Sequence, residues 1–273
     1  AQPAVTPGDK QDAPEVGTVE FRDVSFRYPG AQEDALSGIS FRVEKGQTLA
    51  IIGATGSGKS TLIGLIPRFY DATGGQVLLD GQDVRSFTFD ALYDRLGYVT
   101  QKATLFSGTV ESNVFFGRGA AAETDEGLQR ALDLSQAAEF VNAYPEGAQH
   151  TIAQLGRNVS GGQKQRLAIA RALARGAEIL IFDDSFSALD YRTDAQLRAG
   201  LSTQMAGVTK IIVAQRISTI RHADEILVLD RGEIVGRGTH EELLRTCEVY
   251  REIAGSQLSE RELQEGGAQH EAE

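Results

Sequence analysis

The chain has 273 residues, of which 41% are hydrophobic and 24% charged, a composition of folded domains rather than of disordered or fibrous chains. Its formal net charge of −11 argues against a general nucleic-acid or anionic-membrane surface. The single cysteine, Cys247, excludes a disulfide scaffold and fits a reducing compartment. No apolar run reaches the ~18 residues of a membrane span, and no basic-then-apolar signal peptide leads the chain. The 30 glycines follow no collagen-like period and are therefore expected at particular turns.

In chain order, residues 1–16 hold three of the six prolines and no periodic apolar pattern, and read as a linker or tail. Val19, Phe21, Val24 and Phe26 form a strand pattern, and Ile39, Phe41 and Val43 alternate cleanly. Thr48–Ile52 and Ile179–Phe182 are continuously apolar, as strands covered on both faces are, and Ile211–Ala214 and Ile226–Leu229 look similar. Helical patterns lie at about 59–69, 109–116, 124–143, 161–175, 193–205 and 239–254. Residues 256–273 form an acidic tail carrying five glutamates against Arg261. The alternation predicts an α/β domain over 17–255 with a mostly parallel central sheet, an antiparallel side sheet from 19–43, and a helical lobe over about 105–175.

Residues 53–60 (GATGSGKS) match the P-loop pattern in full, with an apolar strand entering and an amphipathic helix leaving. Glycines let successive backbone N–H groups curl toward phosphate oxygens, and the helix N-terminus adds positive dipole. Gly53, Thr55, Gly56, Ser57, Gly58, Lys59, Ser60 and Thr61 are thus candidates for a nucleoside triphosphate cradle. Lys59 is placed to reach the β- and γ-phosphates, and the Ser60 hydroxyl to ligate Mg²⁺. The strand Glu178–Phe182 ends in Asp183 and Asp184. Placed beside the P-loop strand, it would put Asp183 near the metal in the Walker B role.

The string Asn158-Val-Ser160-Gly161-Gly162-Gln163-Lys-Gln-Arg166 resembles the signature motif of ATP-binding-cassette (ABC) ATPases, and the carboxylate strand follows at that family's spacing. The resemblance covers about residues 17–255 and implies the P-loop NTPase fold with a helical signature-bearing subdomain. It implies ATP and Mg²⁺ as ligands, with Ser60, Gln101 and Asp183 on the metal. It also implies a second cassette facing this one, so that Ser160, Gly161, Gly162 and Gln163 serve the partner's ATP. Tyr28 resembles the aromatic that stacks on adenine, although alone it would read as a packing tyrosine. Gln101 resembles the Q-loop glutamine, and Ser187–Asp190 the D-loop that crosses the cassette interface. The phrases IPRFYDATGGQVLLDG and LFSGTVESNVFFG resemble exporter-type cassettes. The resemblance thus implies the motor of a drug- or lipid-type exporter at the cytoplasmic face of the cell membrane. Residues 1–16 would then connect to a transmembrane domain, and no nucleic acid is expected as a partner.

Two positions depart from the family's pattern. Where the family has a glutamate that polarises the attacking water, this chain has Asp184; where it has a switch histidine, this chain has Gln215. One methylene less withdraws the carboxylate by about 1 Å, a misplacement that costs on the order of 10²-fold in rate. A glutamine amide still donates to a γ-phosphate, but it neither carries charge nor shuttles a proton. Gln154 likewise replaces a glutamate many exporters carry before the signature. The pattern resembles the degenerate half of a heterodimeric exporter, whose partner cassette would bear Glu and His at the matching positions. A soluble ABC ATPase of translation or repair and a non-hydrolytic ATP-binding regulatory subunit are the competing readings.

Overall fold

The computed structural model describes residues 5–117 and 124–257. The chain opens with β1 (Val19–Phe26), β2 (Leu36–Val43), β3 (Thr48–Ile52), α1 (Lys59–Gly64), β4 (Gly74–Leu79), β5 (Gln82–Asp83) and α2 (Phe89–Asp94). It continues through β6 (Leu96–Val99), β7 (Gly108–Thr109), α3 (Val110–Val114), α4 (Asp125–Leu134), α5 (Ala138–Val141), β8 (Thr151–Ile152) and α6 (Gly161–Ala174). The remainder is β9 (Ile179–Asp183), α7 (Tyr191–Gln204), β10 (Thr209–Val213), α8 (Ile217–Ile220), β11 (Glu225–Asp230), β12 (Glu233–Gly238), α9 (His240–Thr246) and α10 (Glu248–Gly255). Two compact units result, Ala1–Leu92 with Thr209–Glu273, and Tyr93–Val208.

In the first unit, β1 pairs antiparallel with both β2 and β4, and β5 extends the sheet beyond β4. The expected strand pattern of β1 carries an odd step, since Phe21 to Val24 is three residues. A bulge repairs it. The register shifts between Phe21 and Val24 in the pairing with β2, Asp23 takes φ 49°, and Val19, Phe21, Val24 and Phe26 are all buried. Opposite the bulge only glycine fits: a Cβ on Gly75 (φ 71°) would lie 2.2 Å from the Asp23 carbonyl. Phe21 faces Phe41 across the pair, their rings stacked at 4.6 Å.

The unit's second sheet has β3 between β10 and β11, both parallel to it, with β12 antiparallel beyond β11. Leu49–Ile52, Ile211–Val213 and Ile226–Leu229 are buried without a break, as continuous apolar runs in a two-sided sheet require. The expected adjacency of the carboxylate strand to β3 is not realised. Both edges of β3 are filled, and β9 takes β6 as its parallel partner in the second unit. The apolar runs are too alike to encode which of them pair.

Helix ends account for most other differences. The helix expected at 59–69 stops at Gly64, because Pro67 lacks the N–H that another turn would need. The chain then tightens through Arg68 (φ 58°), which is buried and ion-paired to Asp71 at 2.8 Å. The helix expected at 124–143 divides into α4 and α5. Gln136 takes φ 60° while the Ala137 N–H donates to Leu132 O at 2.8 Å, a left-handed stop. The pattern at 239–254 divides at the extended residue Cys247. The helix-rich stretch holds α3 to α6, with only the two-residue β7–β8 ladder, and residues 118–123 lie outside the described residues. The strands β4, β6 and β12 had not been expected. Among the described residues no helix is long and apolar enough to cross a membrane.

The segment read as a linker or tail is held to the first unit over much of its length. Gly8 N–H donates to Phe87 O and Lys10 N–H to Ser86 O, both at 2.8 Å; Thr88 N–H returns a bond to Lys10 O, and Glu15 N–H donates to Asp80 O. Thr18 and Arg42 donate to the Glu15 carboxylate, which holds its pKa below the ordinary range. A Cβ on Gly8 would lie 2.1 Å from Ser86 O. Gly8→Val is therefore expected to lift the segment and speed tryptic cleavage after Lys10 about tenfold, read by limited proteolysis. An unchanged cleavage rate would show that this close approach does not hold the segment. Residues 1–4 and the tail residues 258–273 lie outside the described residues.

Candidate functional site

The carboxyl ends of β10, β3 and β11 carry the candidate residues of the first unit. Gly53 follows β3 so closely against β11 that a Cβ there would sit 2.1 Å from Leu229 O. Gly56 and Gly58 take φ 83° and 104°, which favours glycine; a Cβ on Gly58 would also meet Ala35 O at 3.0 Å. Ser57 is buried, its N–H bonded to Ala54 O and its carbonyl accepting from Gly232 N–H. The backbone thus curls into a concave turn that ends at the first turn of α1. The Lys59 ammonium lies across this turn, donating to Gly53 O at 2.8 Å and to Ala54 O at 2.7 Å. Gly58 offers no side-chain cap, and the first turn of α1 carries no acid.

That last feature is shared by three of the described α-helices. α2, α3, α4, α5, α7, α9 and α10 each hold an Asp or Glu in the first turn, where the dipole favours it; α1, α6 and the four-residue α8 hold none. The missing acids leave the positive ends of α1 and α6 to an external anion. The residues present fit a phosphate chain: a cradle in which Gly53 and Gly58 leave no room for a Cβ and Gly56 and Gly58 take positive φ, a lysine across it and a helix end with no acid in its first turn.

Tyr28 stands beside the turn, its hydroxyl sharing a 2.8 Å hydrogen bond with Thr61 Oγ1. Its ring is 37% exposed and meets Phe26 and Tyr70 edge-on, with centroids at 4.8 and 5.3 Å. Tyr70 was missed in the sequence reading, although it sits in the aromatic pair Phe69–Tyr70 that follows α1. Gln215 follows β10 one residue after Ala214 N–H donates to Ile51 O, so it flanks the strand that enters the turn. It is exposed.

In the second unit the register of β6 with β9 brings Val99 opposite Phe182 and gathers the next candidates. Gln101 Nε2 donates to Asp184 Oδ2 at 3.0 Å, and the Tyr98 hydroxyl reaches Asp183 Oδ2 at 3.5 Å. Burial and the neighbouring Asp183 carboxylate push the Tyr98 phenol upward, so it stays protonated and donates. Asp184 is buried at φ 48°, a left-handed conformation that Asp tolerates better than most residues, and its carbonyl accepts from the Ser187 hydroxyl. Buried Ser185 ties the same turn to Val99 O at 2.9 Å. Tyr98 and Ser185 had not been singled out. Among the described residues no three His, Cys, Asp or Glu side chains gather as a metal cluster. A Mg²⁺ ion held by one or two carboxylates and substrate phosphates needs no such cluster.

Ser160 and Gln163 form a reciprocal capping box at α6: Ser160 Oγ accepts from Gln163 N–H, and Gln163 Oε1 accepts from Ser160 N–H at 2.9 Å. Gly161 and Gly162 occupy the first turn of α6, where backbone N–H groups have no partner within the helix. Asp190 caps α7 through the Thr193 N–H and hydroxyl, which lowers its pKa. Further along, Phe106 and Phe116 stack at 4.1 Å while 44% and 49% exposed, with Arg171 against both rings and bonded to Asn113 O and Thr104 O. Burial lowers the Arg171 pKa.

Residues 36–187 match the family described as ABC transporter. The chain is 46% identical over 246 residues to the ATP-dependent lipid A-core flippase of Xanthomonas oryzae pv. oryzae, across 90% of this chain and 42% of the flippase. It is 48% identical over 242 residues to an uncharacterised ABC transporter ATP-binding protein of Mycobacterium tuberculosis, across 88% of this chain and 41% of that protein. The chain therefore spans about two fifths of the length of these relatives. Among solved structures, a bacterial Atm1-family ABC exporter with ATP bound superimposes with a TM-score of 0.84 at 38% identity, over 93% of this chain and 44% of the exporter. The α/β P-loop fold, with its antiparallel sheet and helical subdomain, is the one expected from the motifs.

Proposed function

The chain belongs to the ABC transporter family, and from that premise we propose that it is the ATP-binding motor of a heterodimeric exporter, holding a slowly hydrolysing composite site. The cradle at Gly53–Ser60 carries this reading. Its N–H groups and Lys59 are suited to hold the triphosphate and Tyr28 to offer its ring to the purine, while Ser60, Gln101 and Asp183 are the residues assigned to the metal by the family resemblance. Mg²⁺ bound there supplies charge neutralisation on the β- and γ-phosphates.

Slow turnover follows from two groups. Asp184 is one methylene short of a carboxylate that reaches the attacking water, and one of its oxygens already accepts from Gln101. Gln215 offers an amide dipole where an imidazole would offer a charge and a transferable proton. The capping box at α6 leaves the Gly161 and Gly162 N–H groups for an anion brought by a partner, so this chain completes the faster site on the partner's P-loop. Closure of the two cassettes is passed to a transmembrane domain through the Gln101–Gly117 region, where the stacked Phe106 and Phe116 present an exposed aromatic surface anchored by Arg171. The motor so described works at the cytoplasmic face of the membrane.

The bond between Gln101 and Asp184 also favours a second reading, in which the chain binds ATP without hydrolysing it and acts as a regulatory subunit. ATPase assays separate the two. The chain alone is expected to turn over slowly, and mixing with a cassette bearing Glu and His should raise activity in a manner lost with Ser160→Ala. Activity indifferent to Ser160 would reject the composite site, and no ATP hydrolysis by any mixture would favour the regulatory subunit.

A further inference from the structure

Gln257 lies 42 residues beyond Gln215, yet its side chain embraces the backbone directly after that residue. Its Nε2 donates to Gln215 O at 2.7 Å, and its Oε1 accepts from Ile217 N–H at 2.9 Å. The two bonds bracket Arg216 and close the bend between β10 and α8. α8 needs such a partner, because its own N-cap position, Arg216, makes no side-chain capping bond. Ile217 N–H is one of the orphan donors of a helix start, and a residue from the far end of the unit satisfies it.

The clasp is presented from a rigid base. Tyr250 and Ala254 of α10 are fully buried, and the Tyr250 hydroxyl is hydrogen-bonded to His240 Nδ1 of α9 at 2.7 Å. Cys247 packs so tightly on β12 that a Cβ on Gly236 would lie 2.6 Å from its Sγ. Gln257 N–H donates to Ala254 O, which ties the residue to the end of α10. Glutamine is also the residue type that suits the task, since one planar amide supplies a donor and an acceptor side by side.

We infer that Gln257 is a positioning residue for the γ-phosphate-reading position, fixing the Gln215–Ile217 bend so that the Gln215 side chain is aimed by α10 rather than by its own loop. The inference rests on the role proposed above for Gln215. It makes the bend depend on the C-terminal helices, so that displacing α10 reaches the nucleotide site without touching the cradle.

The test uses the full chain mixed with a Glu- and His-bearing partner cassette whose own glutamate is replaced, so that only this chain's site turns over. In Gln257→Ala, hydrogen exchange at the Ile217 amide should rise about tenfold while the Ile211–Val213 amides of β10 keep their protection. Affinity for MgATP should stay within about twofold, and the single-turnover rate should fall about fivefold, a split that general loss of structure would not produce. Gln257→Glu keeps the acceptor for Ile217 and loses the donor to Gln215, so it should protect the Ile217 amide and still slow turnover. Unchanged exchange at Ile217 in Gln257→Ala overturns the clasp. Lost protection with an unchanged rate overturns its positioning role, provided Gln215→Ala is slow. Should Gln215→Ala turn over normally, the failure belongs to the role of Gln215, and the Ile217 amide still decides the clasp.

Discussion

With the partner's catalytic glutamate removed, the double variant Asp184→Glu, Gln215→His is expected to hydrolyse ATP at this chain's own site about 10- to 100-fold faster than the parent. The added methylene carries the carboxylate about 1 Å further, past the point where Gln101 now holds the Asp184 Oδ2 atom. Position 184 is left-handed at φ 48°, a conformation that costs a longer side chain roughly 1 kcal/mol. The gain in rate therefore comes with a small loss in melting temperature. At position 215 the backbone lies two residues past the last β10–β3 pair, so an imidazole there starts from beside the strand that enters the cradle. Single-turnover hydrolysis by the mixed cassettes reads the result. No gain in that background would remove Asp184 and Gln215 as the limiting groups, and would return the slow site to the terms of the regulatory-subunit reading.

The second large effect separates binding from turnover. Lys59→Ala should weaken MgATP binding about 100-fold, because the ammonium that lies across the turn supplies charge-assisted hydrogen bonds worth about 1.5–3 kcal/mol each. Asp184→Ala should leave binding within about threefold while removing residual hydrolysis, since Asp184 is assigned to the attacking water and not to the phosphates. Calorimetric titration of both variants with MgATP distinguishes them. Equal losses would contradict the two assignments together.

Much of the nucleotide site was legible in the chain because its parts are local. The P-loop needs a strand, glycines at set offsets and a helix start, all within about fifteen residues, and the backbone conformations at Gly56 and Gly58 are those the spacing demands. The capping box of Ser160 with Gln163 is likewise a matter of three residues. Other groups gave no such signal. Tyr98 reaches Asp183 across 85 positions, Ser185 reaches Val99 across 86, and Gln257 reaches Ile217 across 40. Each is an ordinary polar residue in an unremarkable string, and only a sheet register or a docked helix brings it to its partner. Tyr70 was nearer to being found, since a surface aromatic pair following the P-loop helix invites the question of what it stacks against.

By itself the sequence determined the α/β alternation, the glycine turn at Gly53–Gly58 and the serine-capped start of α6, and it singled out Asp184 and Gln215 as candidates. Each is set by residue type at short range, through glycine's freedom at positive φ, helix capping and the period of apolar residues. The tertiary structure decided which strands pair, where the long helical patterns break, and what holds the ends of the chain. The continuous apolar runs are interchangeable as sheet members, so β3 took β10 and β11 as neighbours through packing that no run announces. Residues 8–15 belong to the stretch 1–16 that reads as a linker or tail, and only backbone hydrogen bonds to residues 80–88 give them a place. Backbone donors and acceptors are present in every sequence, and only the fold says where they find partners.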